Sequence, residues 1–390
     1  MNSGRTIFAQ LLDFLPSHDF LRCVNRYDGN RRVRQLSCWD QFLCLAFAQF
    51  TYRESLRDII TCLHSVQNSL YHSGFRGRLA RSTLADANER RDWRIYADFA
   101  AVLIRHARQL YVGEPLSVDL EQTVYAFDST TIDLCLTLFP WAQFRRRKSA
   151  VKLHTLIDLR GNIPCFVRVS SGRVADVTAL DDLPIEPGSF YVMDRGYTDF
   201  ERLYRFTQNS AFFVIRAKRD LDYAPQDHQS VEPGTGVRSD QIIRLCGPKT
   251  AQLYPIPLRR ISYYAADIDK RFVFLTNHLV LAALSIAELY HSRWQVELFF
   301  KWIKQYLRIK AFYGTSENAV KVQVWTAVCV YVLTAIVKKE MRIQHLSLGE
   351  MLQILSISLF QKMPLLQAFS EISTGMDVSQ NHKQLRLFDL

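Results

Sequence analysis

The segment YHSRWQVELFFKWIK, residues 290–304, constrains this chain more than any other. It carries Tyr290, Arg293, Glu297 and Lys304 in the spacing Tyr-x2-Arg-x3-Glu-x6-Lys. At 3.6 residues per turn, about 100° each, offsets of 3, 7 and 14 return to within roughly 60° of the starting direction. A single helix with all four side chains on one face is expected, with Lys301 and Arg308 on the same stripe. Leu289, Trp294, Val296, Leu298, Phe299, Phe300, Trp302, Ile303 and Leu307 fill most of the remaining circumference, so the helix is expected to be buried on most sides. A solvated stripe mixes charge signs, whereas one carboxylate among cations suits a metal-binding acid set among phosphate contacts.

The rest of the composition agrees with a folded, anion-seeking protein. With 390 residues and 48% hydrophobic content, the chain has length for two to three domains and a large core. A net charge of +11 gives a long-range positive field that favours nucleic acid or an anionic membrane. The longest apolar run, Val324 to Val337, is shorter than the ~20 residues of a membrane span and reads as a core helix, so no membrane partner is expected. The first twenty residues lack the pattern of a secretory signal, and a cytoplasmic location is expected. Eight cysteines without a CxxC pair, mostly among apolar neighbours, are expected as buried thiols rather than disulfides or a zinc site.

Along the chain, residues 1–116 read as an all-helical, arginine-rich domain suited to DNA binding, with no lysine before Lys148. Its helices are LSCWDQFLCLAFAQF, RESLRDIITCLHSV and STLADANERRDWRIYADFAAVLIRHARQL, the last capped by Ser82 or Thr83. Arg76, Arg78, Arg81, Arg90, Arg91 and Arg94 cluster around the start of that third helix. Residues 117–217 read as a strand ending at Asp128, two further strands around the turn RGN, a helix in VADVTALDDL, the strand SFYVMD, then helix and strand. This order predicts an α/β fold, an RNase H-like catalytic core. Residues 218–282 read as a β-rich insertion, 283–370 as completion of the core with C-terminal helices, and 371–390 as a flexible tail.

Asp128 and Asp194 each follow an apolar strand, and Glu297 lies on the polar stripe. Strand-end carboxylates meet at the carboxyl edge of a sheet, where α/β folds place ligands. Three acids brought together repel, and all-oxygen ligation selects Mg²⁺ or Mn²⁺ over zinc. Two such ions, about 3.5–4 Å apart, clamp the attacking and leaving oxygens of a phosphoryl transfer.

FDST around Asp128, MDRGY around Asp194 and the Tyr-x2-Arg-x3-Glu-x6-Lys run resemble the three catalytic blocks of bacterial insertion-sequence transposases, in the DDE cut-and-paste class with the YREK motif. The resemblance covers residues 1–370, since CWDQFLCLAFAQFTYRESLRDI and STLADANERRDWRIYADF resemble the N-terminal region of one branch of that family. It implies that Asp128, Asp194 and Glu297 form the metal-binding catalytic triad, and that Tyr290, Arg293 and Lys304 hold DNA at the transposon end. It further implies two Mg²⁺ or Mn²⁺ ions per site, double-stranded DNA partners in the form of terminal inverted repeats and target, and a homodimer or larger synaptic complex at the bacterial nucleoid. Nicking, hairpin formation and joining of the 3′ ends follow from the same resemblance. Relatives stack a flipped base on a tryptophan of the insertion; here no Trp lies between Trp141 and Trp294, leaving Tyr263, Tyr264 or Phe274 for that role. The alternatives are a metal-dependent endonuclease without strand transfer and a non-catalytic DNA-binding descendant.

Further DNA contacts are expected from the basic run Arg145, Arg146, Arg147 and Lys148, and from Arg195 beside Asp194. His154 reads as a core histidine, Asp181 and Asp182 diverge too far to form a dyad, and Asp133 and Asp158 read as surface groups. Near the C-terminus, Gln384, Leu385, Leu387 and Phe388 resemble the peptide by which bacterial proteins dock on the replication sliding clamp.

Overall fold

The computed structural model describes residues 4–116, 118–135, 137–145, 148–306 and 312–370. Its organising element is strand β1 (Val124–Leu134), whose alternate side chains serve two faces. Tyr125 and Phe127 enter one core, while Val124 and Ala126 face the opposite way into two others. The remaining strands are β2 (Gln143–Arg145), β3 (Lys148–Asp158), β4 (Ile163–Ser171), β5 (Phe190–Met193), β6 (Phe212–Arg216), β7 (Tyr223–His228), β8 (Val237–Leu245), β9 (Leu258–Ala265) and β10 (Lys270–Thr276). They form one mixed sheet in the order β2-β3-β1-β5-β6-β10-β9-β8-β7, with β4 also on β3. Pairing is antiparallel among β4, β3 and β1, parallel from β1 through β5 to β6, and antiparallel again from β6 out to β7.

One face of the sheet carries a helical layer centred on Glu317–Glu340, a 24-residue helix buried along nearly its whole length. It is long and apolar enough for a membrane by composition, but packing occupies its surface. Helices Cys38–Phe50, Arg81–Arg90 and Arg94–Tyr111 pack around it, and their buried side chains join those of β1, β3 and β4 in one cluster. Backbone bonds from Ile7 and Phe8 to the carbonyls of Gln361 and Leu359 fasten the N-terminal helix to the far end of the described chain.

Local chemistry explains where the helices differ from the sequence reading. Cys38–Phe50 starts at Ser37 through a capping box with Asp40, which is buried and also accepts from the amides of Arg76 and Gly77. The expected long helix after Arg81 is instead two, Arg81–Arg90 and Arg94–Tyr111, and neither Ser82 nor Thr83 caps it. The Asp92 side chain takes the Arg94 amide, while Asn318 takes the carbonyls of Asn88 and Arg91, so the helix ends there. Within the arginine cluster, Arg91 braces the carbonyl of Ser37, Arg90 pairs with Asp86 and Arg94 with Asp92; Arg76, Arg78 and Arg81 are exposed.

Other expectations also change. Residues 176–182 form a 3-10 turn rather than an α-helix. Only four cysteines (23, 38, 44 and 329) are buried, and Cys135 and Cys246 are exposed; all eight are free thiols. Asp158 is not a surface group: the helix Arg94–Tyr111 covers it and Arg108 donates to it at 3.1 Å. Asp181 and Asp182 stay outside the core, paired with Arg202 and Arg168.

The outer sheet has its own anchor, the ion pair of Asp240 on β8 with Arg259 on β9. Two guanidinium–carboxylate bonds of 2.9 and 2.6 Å join them, and both side chains are 3% exposed. Removing one partner strands the other charge without water. Asp240→Ala is expected to cost roughly 3–5 kcal/mol, read by chemical denaturation; a loss below about 1 kcal/mol, the range of an exposed pair, would contradict the burial.

Candidate active site

The parallel ladder of β1 and β5 sets Phe127 opposite Met193, so the next residue on each chain, Asp128 and Asp194, leaves the ladder side by side. The two strands then behave differently. β5 ends where the buried run Phe190–Met193 gives way to Asp194 and the turn Arg195–Tyr197. β1 continues to Leu134 because β3 pairs with it throughout, so Asp128 stands mid-strand rather than at a strand end. By the two-residue alternation Asp128 shares the face of Val124 and Ala126, toward the helices of residues 283–306.

Those helices are two, not one. Ala283–Ser292 and Trp294–Tyr306 meet at Arg293, so Tyr290 lies on the first while Glu297 and Lys304 lie on the second. The break still presents the key groups to the sheet. Arg293 donates from Nη1 to Asp128 Oδ2 at 2.7 Å and from Nη2 to Glu297 Oε1 at 2.5 Å. Tyr290 donates its hydroxyl to Asp194 Oδ1 at 3.1 Å. The Tyr290 ring is held against Phe274 with centroids 4.8 Å apart. Phe274, 1% exposed, is thereby excluded as a platform for a flipped base. Glu297 lies in the first turn of its helix, where the helix dipole favours a carboxylate.

The electrostatics follow from this packing. Burial pushes the Asp128 carboxyl up to about 6; Arg293 and the Ser129 amide oppose the rise, while Glu297 and Asp194 add to it. Asp128 therefore feels both of the other acids. Arg293 is held above its ordinary range because Asp128, Tyr290 and Glu297 outweigh the cost of its burial. Its Nε is buried without a hydrogen-bond partner among the described residues. The donor set, two carboxylates on Arg293 and a third on the Tyr290 hydroxyl, is all oxygen and suits a divalent cation of the hard, oxygen-seeking kind. Among the described residues no three His, Cys, Asp or Glu groups are already drawn together as a ready cage, since Arg293 stands between Asp128 and Glu297.

The opposite face of β1 carries a cluster that the sequence reading did not identify. Ser129 donates to Asp176 at 2.8 Å, and Lys152 pairs with Asp176 at 3.1 Å. His154, paired across the strands with Ser129, is fully buried and bonds Ser170 through Nε2 at 2.9 Å. Burial pushes it down to about 4, so it is neutral at pH 7. Its reading as a core histidine fits, although Nδ1 lacks a hydrogen-bond partner among the described residues. The alternation that turns Asp128 to one face was the signal for Ser129 on the other.

Remaining candidates are dispersed. Arg195 is exposed next to Asp194. Lys304 stands two turns beyond Glu297, half-buried. Lys301 is exposed and lines a separate cavity, and Leu298, expected in the core, is 38% exposed there. Arg145 ends β2 and Lys148 opens β3, while Arg146, Arg147, Arg308 and the tail with Gln384, Leu385, Leu387 and Phe388 lie outside the described residues.

Comparison with known proteins gives the family. The transposase DDE domain matches residues 119–333, more than half of the chain, and a domain of unknown function (DUF4372) matches residues 3–76. A protein of Sinorhizobium fredii named as a transposase is 34% identical over 264 residues, covering 67% of this chain and 72% of its own. A transposase named for an insertion sequence of Geobacillus stearothermophilus is 32% identical over 206 residues, covering 53% and 54%. One from Synechocystis is 23% identical over 267 residues, covering 65% and 70%. A solved piggyBac transposase synaptic complex with hairpin DNA aligns with a TM-score of 0.46 at 9% identity, over 95% of this chain and 82% of that one. The chain belongs to the family of DDE-domain transposases. It is a bacterial insertion-sequence enzyme, a DNA transposase whose class depends on divalent metal.

The shifted carboxyl makes a test possible without metal or DNA. Asp128 is expected to titrate near 6 by carboxyl NMR, and higher still in Arg293→Gln, which loses the opposing charge. Because the folded value lies above the ordinary 3.8, the native state holds the extra proton between about pH 4 and 6. Stability relative to Asp128→Asn should therefore fall as pH rises through that window; a flat difference would contradict the burial.

Proposed function

We propose that Asp128, Asp194 and Glu297 are the catalytic metal ligands of a cut-and-paste reaction that cleaves transposon ends and joins their 3′ ends to target DNA. The observation that carries this reading is the convergence of the three acids, remote in sequence, about Arg293 and Tyr290. The strand order β4-β3-β1-β5-β6, antiparallel then parallel, supports an RNase H-like core with β7–β10 as the insertion before Glu297. The same order supports the division into 1–116, 117–217, 218–282, 283–370 and 371–390.

The three carboxylates would hold one or two Mg²⁺ or Mn²⁺ ions, which when bound neutralise charge at the scissile phosphate and lower the pKa of water. The chain's own groups do the rest. Arg293 offers a planar fork suited to a phosphate, Tyr290 a hydroxyl donor, and Lys304 a point charge, which together are the YREK grip on the transposon end. Arg195 and the 145–148 run add salt-sensitive backbone contacts. Two ends must be cut together, so the working form is a homodimer or larger. The reading extends to a nucleoid location and to docking of the tail residues Gln384–Phe388 on the sliding clamp, for which equal clamp retention without the tail would remove the idea.

Purified protein with labelled transposon-end DNA and Mg²⁺ or Mn²⁺ is expected to cleave and join, and chelation to stop both. Asp128→Asn, Asp194→Asn and Glu297→Gln should each reduce both steps below detection. Cleavage surviving in Asp194→Ala would sink the assignment, and cleavage without joining would favour the endonuclease.

A further inference from the structure

On the far side of the Trp294–Tyr306 helix lies an open cavity of about 1010 Å³. Gln295, Leu298 and Trp302 reach it from that helix, at roughly 100–160° around the axis from Glu297, and Lys301 reaches it at about 40°. Most of its helical wall therefore faces away from Glu297, with Lys301 on the side nearest it. The floor comes from Tyr331 on the core helix and from Gly161 and Asn162 in the turn between β3 and β4. Its volume is at the upper limit of the ~300–1,000 Å³ typical of ligand clefts.

Its charge is one-sided. Lys301, Lys338, Lys339 and Arg342 line it, against Glu114 as the one carboxylate among the described lining residues. Lys339 pairs with Glu114, leaving three positive charges facing the space. Lysines at the end of a helix are ordinary compensation for its dipole, which accounts for Lys338 and Lys339 at the close of Glu317–Glu340. It does not account for Lys301, on another helix, or for Arg342, which the chain turns outward with φ +56°. Lys338 is half-buried, and burial lowers its pKa with only Glu350 and Glu114 opposing. A solvated surface lysine bears no such cost. The cavity also holds an unmet acceptor: Asn162 donates from Nδ2 to Gln295 at 3.2 Å, but its Oδ1 is buried without a partner among the described residues.

Leu298 adds an exposed apolar ledge to the same lining, together with Trp302 and Tyr331. A bare phosphate ion has no use for such a ledge. A duplex presents a convex surface with its bases stacked away, whereas an unpaired strand offers both phosphates and free base faces. We propose that this cavity is a second nucleic-acid site, one that takes an unpaired stretch of DNA strand on the back of the helix bearing Glu297. Lys301, Lys338 and Arg342 meet the phosphates, Leu298 and the aromatic rings beside it meet a base, and Asn162 accepts from a base N–H such as N3–H of thymine. Such a strand comes either from the transposon end or from opened target. The proposal does not depend on the assignment of the three acids.

The test uses the full chain and no cleavage assay, so its outcome is separate from that of the carboxylate reading. Fluorescence anisotropy measures binding of a twelve-nucleotide oligothymidine, a blunt twelve-base-pair duplex and poly-glutamate. Thermal melting checks each variant's fold. In Lys338→Gln/Arg342→Gln the oligothymidine is expected to bind at least about tenfold more weakly, with the salt slope reduced by about 1.4 for two lost phosphate contacts. If the half-buried Lys338 cannot be replaced without loss of fold, Arg342→Gln alone, on an exposed side chain, should lower the slope by about 0.7. Photocrosslinking of an iodouracil-bearing strand should label the peptide holding Leu298 and Trp302, and a strand carrying either the transposon-end or target sequence separates the two sources. Unchanged oligothymidine binding in both variants, equal displacement by poly-glutamate or duplex, or crosslinks confined elsewhere would each overturn the proposal.

Discussion

The bonds of Arg293 to Asp128 and Glu297 are the interaction on which the site depends, because they join a strand and a helix 165 residues apart in the chain. Two carboxylates facing each other repel, and repulsion alone would spread the helix from the sheet. The guanidinium removes that repulsion and fixes the spacing. It does so at the junction of two helices, so its direction is set by backbone on both sides rather than by a long flexible stem alone. Tyr290 repeats the arrangement on a smaller scale, with its ring on Phe274 and its hydroxyl on Asp194.

Much of this was legible in the chain because the constraints are local and periodic. The apolar runs FYVM before Asp194 and VYAF before Asp128 announce strands, and a polar stripe on apolar helix announces a site. What was not legible depends on neighbours. Nothing within β1 says that β3 pairs with it beyond Asp128, so the strand was expected to stop there. The break at Arg293 has no Gly or Pro to announce it. Asp158 reads as a surface carboxylate, but Arg108 and its helix cover it. The cluster of Ser129, Asp176, Lys152 and His154 is assembled from three separate segments, united by the β1–β3 register and by the bonds of Asp176 from the turn beside them.

The division of the sheet between two tasks is also physical. The parallel centre, β1, β5 and β6, is buried on both faces and supplies the carboxylates at its edge, as parallel sheets require. The antiparallel outer strands can leave one side to water, and β7 does so, with most of its side chains exposed. Because β10 is hydrogen-bonded directly to β6, this outer region is an extension of the same sheet.

One core is shared by the N-terminal helices, the long central helix and the strands beneath Asp128. The consequence is metric. A recognition surface on a flexible tether finds its sequence anywhere within reach of the linker, but one set rigidly against the catalytic sheet holds a constant offset from it. If, under the proposed function, the exposed arginines of the helical layer hold DNA, that DNA would meet Asp128 at a fixed phase of its helix, and the fold itself would count the base pairs between the two contacts.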